Sequence, residues 1–140
     1  MALSLKRLGF SRKGRTWWRQ KPFAVQVVHL QRGFGDQLFV NLGIYLRPLG
    51  DEAHPPEHHC HVRARLERVC PESLFEPVRS LEANSQPSPE AIEALVAYGI
   101  AWLEALSSKE GLCQFVRSSS PSIGFVHRLA KECCDVRSGA

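Results

Sequence analysis

Acid is nearly absent from the first third of this 140-residue chain: before residue 51 the one carboxylate is Asp36. A hydrolase driven by paired carboxylates would have to draw both from the second half, where only Glu67 falls on an expected strand. Long apolar runs are missing too. The longest uncharged one, Ala94 to Leu103, is far short of the ~20 residues of a membrane span. The opening MALSLKRLGF has no apolar run after its basic residues, so it does not read as a secretory signal. The chain ends Arg-Ser-Gly-Ala, without a lipidation box. These absences point to a soluble cytoplasmic protein with no membrane partner. Also missing are a Gly-x-x-x-x-Gly-Lys loop, a Gly-x-Gly-x-x-Gly turn and a Gly-x-Ser-x-Gly elbow. No cofactor is expected. The cysteines (Cys60, Cys70, Cys113, Cys133, Cys134) are odd in number and irregularly spaced. Reduced thiols, several filling the core, are therefore expected.

What is present is one domain's worth of chain, 44% hydrophobic and 23% charged. The charge is lopsided. Residues 1 to 35 hold eight Lys or Arg and no acid, while the remainder is net acidic. Such a basic segment suits phosphate groups, but docking on the protein's own acidic half, or a solvated face, is the preferred reading.

Two apolar alternations, Phe23 to Arg32 and Gln37 to Arg47, flank Gly33-Phe34-Gly35-Asp36 and read as a β-hairpin. If Arg32 pairs with Gln37, Val27 opposes Leu42, Val25 opposes Ile44 and His29 opposes Val40. Val25, Val27, Val40, Leu42, Ile44 and Leu46 then share one core face, with His29 a hydrogen-bonded core residue. Asn41 and Gln26 fall together on the other face. Arg15 to Gln20 reads as a third strand, and Cys60 to Val69 as a fourth with Val62, Ala64 and Leu66 on its apolar side. Pro48 to His59 is a polar loop.

From Ser88 the period becomes helical. Ser88-Pro89-Glu90 is a cap, a first-turn proline and an acid at the positive dipole end. Ile92, Leu95, Val96, Gly99, Leu103 and Leu106 mark one face of a helix over Pro89 to Leu106. Shorter helices are expected over Glu110 to Arg117 and Pro121 to Cys134. The expected fold is a single α+β domain over residues 1–140. It has a mainly antiparallel three- to four-stranded sheet, with C-terminal helices packed on one face.

The block Leu5-Lys6-Arg7-Leu8-Gly9-Phe10-Ser11-Arg12-Lys13-Gly14-Arg15-Thr16-Trp17 and three later segments occur in a recognisable order. The later ones are Val25 to Val28 with Gln31, Val40 to Ile44, and Cys60 to Leu66. Together they resemble the bacterial domain-of-unknown-function 4304 family, most closely over residues 5 to 70. The resemblance implies no assigned activity and therefore no catalytic residue. It implies a helix before the Leu-Lys-x-x-Gly-Phe block, of which Leu3, Leu5 and Leu8 would be the tail; here the helix is expected to be absent or cut short.

Several clusters carry chemistry. His54, His58, His59, Cys60 and His61 are metal-ligand types. Neighbours on an extended strand point to opposite faces, so they do not converge, and no metal site is assigned. Arg63 and Arg65 project side by side from one strand face and, with His61, form an anion or partner site. Lys13, Arg15 and Trp17 mix basic and aromatic character at a turn and strand. The reading that follows points away from an enzyme. It is a non-catalytic module binding another protein, in the manner of an immunity protein or adaptor. Nucleic-acid binding through the basic N-terminal face is the alternative, and a metal-dependent enzyme on the His54–His61 loop the third.

Overall fold

The computed structural model describes residues 1–118 and 124–134. Six strands form one antiparallel sheet in chain order: β1 Ser11–Lys13, β2 Thr16–Gln20, β3 Ala24–Arg32, β4 Leu38–Leu46, β5 Val62–Arg65 and β6 Phe125–Val126. The strand expected over Cys60 to Val69 is shorter, ending at Arg65, with Leu66–Arg68, Glu67 included, in a 3₁₀ turn. The sheet nonetheless has more strands than the expected three or four, β1 and β6 being added at the edges. Three residues and two residues are too short to show an alternation in sequence. The helices are α1 Ala2–Arg7, α2 Phe75–Arg79, α3 Pro89–Ala105, α4 Lys109–Ser118 and α5 Arg128–Cys133. The helix expected from Pro121 begins outside the described residues; within them Phe125 and Val126 are strand, and helix starts at Arg128.

The hairpin β3–β4 forms, but one residue out of the expected register. Arg32 pairs with Leu38, not Gln37, so Val28 opposes Leu42 and Val27 opposes Gly43. A one-residue slip turns a strand over. Ala24, Gln26 and Val28 join Val40, Leu42, Ile44 and Leu46 on the helix-covered face. Val25, Val27 and His29 pass to the other side, with Asn41, Gly43 and Tyr45. Gly35 in the left-handed region (φ 64°) and the Gly33 N–H bonded to the Gln37 carbonyl close the odd-length loop. The apolar pattern of β3 could not choose between registers, because Ala24 through Val28 are all buried, on both faces.

Helix α3 begins as expected, with the Ser88 hydroxyl accepting from the Ala91 N–H at 3.1 Å. Its middle, Ala94–Gly99, is wound more widely, as π-helix. That extra residue per turn leaves Val96 exposed while Ala91, Ala94, Leu95, Gly99, Leu103 and Leu106 face the sheet. Gly99 permits the close approach: a Cβ there would stand 2.9 Å from Leu66 Cδ1. Gln26, buried beneath this helix, accepts from Arg19 Nε and donates to Ser107 Oγ, both at 2.8 Å. Its polar ends are thereby satisfied.

One further expectation is corrected. The structure joins Cys113, in α4, to Cys134, just after α5, by a disulfide, with Cα atoms 5.0 Å apart; Cys60, Cys70 and Cys133 are free thiols. The short helix α1 overlaps the start of the Leu5-to-Phe10 block, with Leu5 buried. Among the described residues no single helix is long and apolar enough to cross a membrane.

Candidate functional site

The face of the sheet away from α3 divides into two halves. On one, Trp18, Val25, Val27, Tyr45 and Cys60 form a second apolar cluster beneath the segment from 47 to 61. Trp18 Nε1 donates to the Pro55 carbonyl at 2.7 Å and pins that segment down. Gly43 makes room for Cys60: a Cβ there would lie 2.5 Å from its Sγ. Burial pushes the Cys60 thiol up beyond its usual range.

On the other half, register brings a line of polar residues across the strands. Lys13 opposes Thr16, Thr16 opposes His29, His29 opposes Asn41 and Asn41 opposes Arg65. Opposed residues share a face, so this rank runs across five strands, about 19 Å at the spacing of paired strands. The Thr16 hydroxyl and His29 Nδ1 lie 2.8 Å apart, and Asn41 Nδ2 donates to Gln31 Oε1 at 2.7 Å. Burial lowers the His29 pKa, with the Arg15 charge adding to the effect and Glu57 opposing it.

Glu57 stands over this rank. It lies on a 3₁₀ turn, Glu57–His59, that follows Pro56, and its side chain is only 7% exposed. Arg63 clasps it with both arms of its guanidinium, Nε at 2.6 Å and Nη2 at 3.1 Å. This pairing raises the Arg63 pKa, the hydrogen bond being the main cause. Around the pair lie two adjoining cavities of about 320 and 480 Å³. Both are lined by Gln31, Asn41, Glu57 and Arg63, so they form one groove. Thr16, His29 and His58 line one end. Arg65, Arg68, Gly124 and Phe125 line the other.

Of the residues singled out in the sequence, Arg63 and Arg65 line the groove and Lys13 ends the rank. Arg15 is exposed at the β1–β2 turn, its carbonyl accepting from Leu30 N–H at 2.9 Å. Trp17 is elsewhere, buried on the helix-covered side with the Arg12 guanidinium 4.7 Å from its ring centre. His61 is buried as well. Its Nδ1 accepts the Leu46 N–H at 2.9 Å, which requires a neutral imidazole there, and burial lowers its pKa. His29 is a groove residue, not a core histidine on the face of Val40 and Leu42. Asn41 lies in the groove without Gln26. Thr16, Gln31, Glu57, Arg68 and Phe125 were not singled out. The true registers bring Thr16 into line with Asn41 through His29, and Gln31, two residues after His29, shares their face; the expected register hid both, and nothing in the polar loop distinguished Glu57.

The other histidines of the loop are engaged separately. His54 packs edge-on against Trp18, and His59 Nδ1 lies 3.1 Å from Glu52. Among the described residues, no three His, Cys, Asp or Glu side chains are grouped so as to hold a metal ion.

No curated protein and no solved structure matches the chain. A family's sequence pattern does, over residues 1–105, which takes in β1 through β5 and ends with the last residue of α3. The groove is therefore built almost wholly within the matched region, with Gly124 and Phe125 added from beyond it, and the chain belongs to the domain-of-unknown-function family DUF4304.

Proposed function

We propose that this protein is a non-catalytic binding module, adaptor- or inhibitor-like, that takes a segment of another protein along the groove on the open half of its sheet. The observation that carries this reading is the rank from Lys13 to Arg65. Hydroxyl, imidazole and amide groups lie in line between two cations, beside an apolar cluster on the other half of the same face. Amides and hydroxyls that both donate and accept suit a peptide backbone. Glu57 neutralises the central arginine, so the groove is not a continuous positive track of the kind that follows a phosphate backbone. The hairpin tip adds Phe34, 97% exposed, as a second contact point.

The test blocks the groove at its middle. Gln31 is exposed, lies on a strand and lines both cavities, so Gln31→Trp fills the groove without disturbing the core. Wild type and Q31W are immobilised and exposed to lysate of the source cell, with and without nuclease treatment. A polypeptide held by the wild type and lost from Q31W supports the proposal. Equal retention by both overturns it, as does a ligand that disappears with nuclease treatment. The latter result would favour nucleic-acid binding.

A further inference from the structure

We infer that the Arg65–Arg68 end of the groove is a carboxylate pocket that recognises an acidic side chain of a bound peptide segment, an assignment that rests on the protein-binding reading above. Three arginines, Arg63, Arg65 and Arg68, line the cavity of about 320 Å³. One, Arg63, is already occupied, and its occupant is a carboxylate: Glu57, held in a two-pronged grip. Arg65 and Arg68 line the same cavity, are exposed, and have no acidic partner within 4.0 Å among the described residues. Among the described residues, the groove end thus carries two positive charges without an ion-pair partner.

Arg65 is ordered for its task. Its guanidinium lies 4.0 Å from the centre of the Phe39 ring, and stacking of this kind fixes the plane of the fork while leaving its N–H edges free. A planar carboxylate matches that fork with two parallel hydrogen bonds. On the far side Phe125, half exposed, offers an apolar wall for the methylenes of a Glu or Asp side chain. Glu57 decides between anions. Its negative charge lines the same cavity and opposes a phosphate dianion more strongly than a singly charged carboxylate. A nucleic acid strand carries a charge at every nucleotide and would bring several past this carboxylate, whereas a peptide brings one or two, so among macromolecular ligands an acidic peptide is favoured.

The experiment is a titration of ¹⁵N-labelled protein followed by amide chemical shifts. The probes are a blocked pentapeptide with two adjacent glutamates, its diglutamine counterpart, inorganic phosphate and a short single-stranded oligothymidylate. The glutamate peptide should shift Arg65, Arg68 and Phe125 amides and bind at least five-fold more tightly than the glutamine peptide. Arg65→Gln with Arg68→Gln should weaken it at least five-fold. Lys6→Gln with Arg7→Gln, which removes the same charge from exposed positions on α1, should change it less than two-fold. Equal binding of the two peptides overturns the inference, as do equal losses in the two double variants, stronger shifts from phosphate or oligothymidylate, and no shift at all. If Q31W loses a captured polypeptide while the glutamate peptide shifts nothing, the carboxylate pocket alone falls. If the peptide binds as stated while capture fails, the pocket stands and the protein-binding reading falls.

Discussion

Glu57 and Arg63 differ in how far each is removed from water, and that difference yields a measurable asymmetry. The Glu57 side chain is 7% exposed and that of Arg63 36%. Arg63→Met leaves a buried carboxylate without its cation. Glu57→Gln leaves a guanidinium that water can still reach, and the new amide oxygen can accept one of its two bonds. Breaking a fully buried pair costs about 3–5 kcal/mol, whereas exposed pairs are worth about 0–1 kcal/mol. This pair lies between, so R63M should cost about 3 kcal/mol and E57Q about 1.5 kcal/mol. The double variant, in which neither charge remains, should cost less than the sum by about 2 kcal/mol. Urea unfolding at pH 7 reads all three: with a slope near ~1.5 kcal/mol/M, R63M moves the midpoint by about 2 M and E57Q by about 1 M. If E57Q costs as much as R63M, or the coupling is below about 0.5 kcal/mol, the pair does not hold the roof of the groove as described.

Three further outcomes follow from the same packing. His29 and His61 have pKa values lowered from 6.5 in the fold, so the unfolded chain binds protons more readily and stability falls as pH drops through 6.5 towards their folded values. Thermal unfolding between pH 7.5 and 5.5 should show this slope, and an unchanged slope in the His29→Gln, His61→Gln double variant would refute the assignment. Gly43→Ala forces a methyl against Cys60 and should cost about 1–3 kcal/mol, partly recovered by Cys60→Ala, in urea unfolding. Cys60 itself, buried and with its thiol pushed up, should resist a disulfide reagent such as DTNB in the folded protein and react once urea is added; rapid labelling of Cys60 by native-state mass mapping would contradict its placement.

Much of the architecture was legible because it rests on local chemistry. Ser88 caps and Pro89 starts a helix wherever that helix is packed, since both act within one turn of backbone. The glycines at 33 and 35 mark a hairpin between two apolar runs on the same grounds. Cys113 and Cys134, by contrast, stand 21 residues apart, and only the packing of α4 and α5 brings them together. The rank of Lys13, Thr16, His29, Asn41 and Arg65 draws one residue from each of five strands. None of these is informative alone, and a register error of one position, in a strand apolar on both faces, hides the alignment entirely.

Composition and period alone thus determined the class of fold, the hairpin, the capped helix and the pairing of Arg63 with Arg65 on one strand face. Those properties depend on residues near one another along the chain. The tertiary structure decided which face His29 and Asn41 share, that Glu57 returns from a proline-rich loop to occupy Arg63, and that Arg65 and Arg68 are left unpaired beside Phe125 among the described residues. Each of these is a contact between distant segments, set by hydrogen-bond register and by how a loop closes over a sheet, and such contacts leave no periodic trace in sequence.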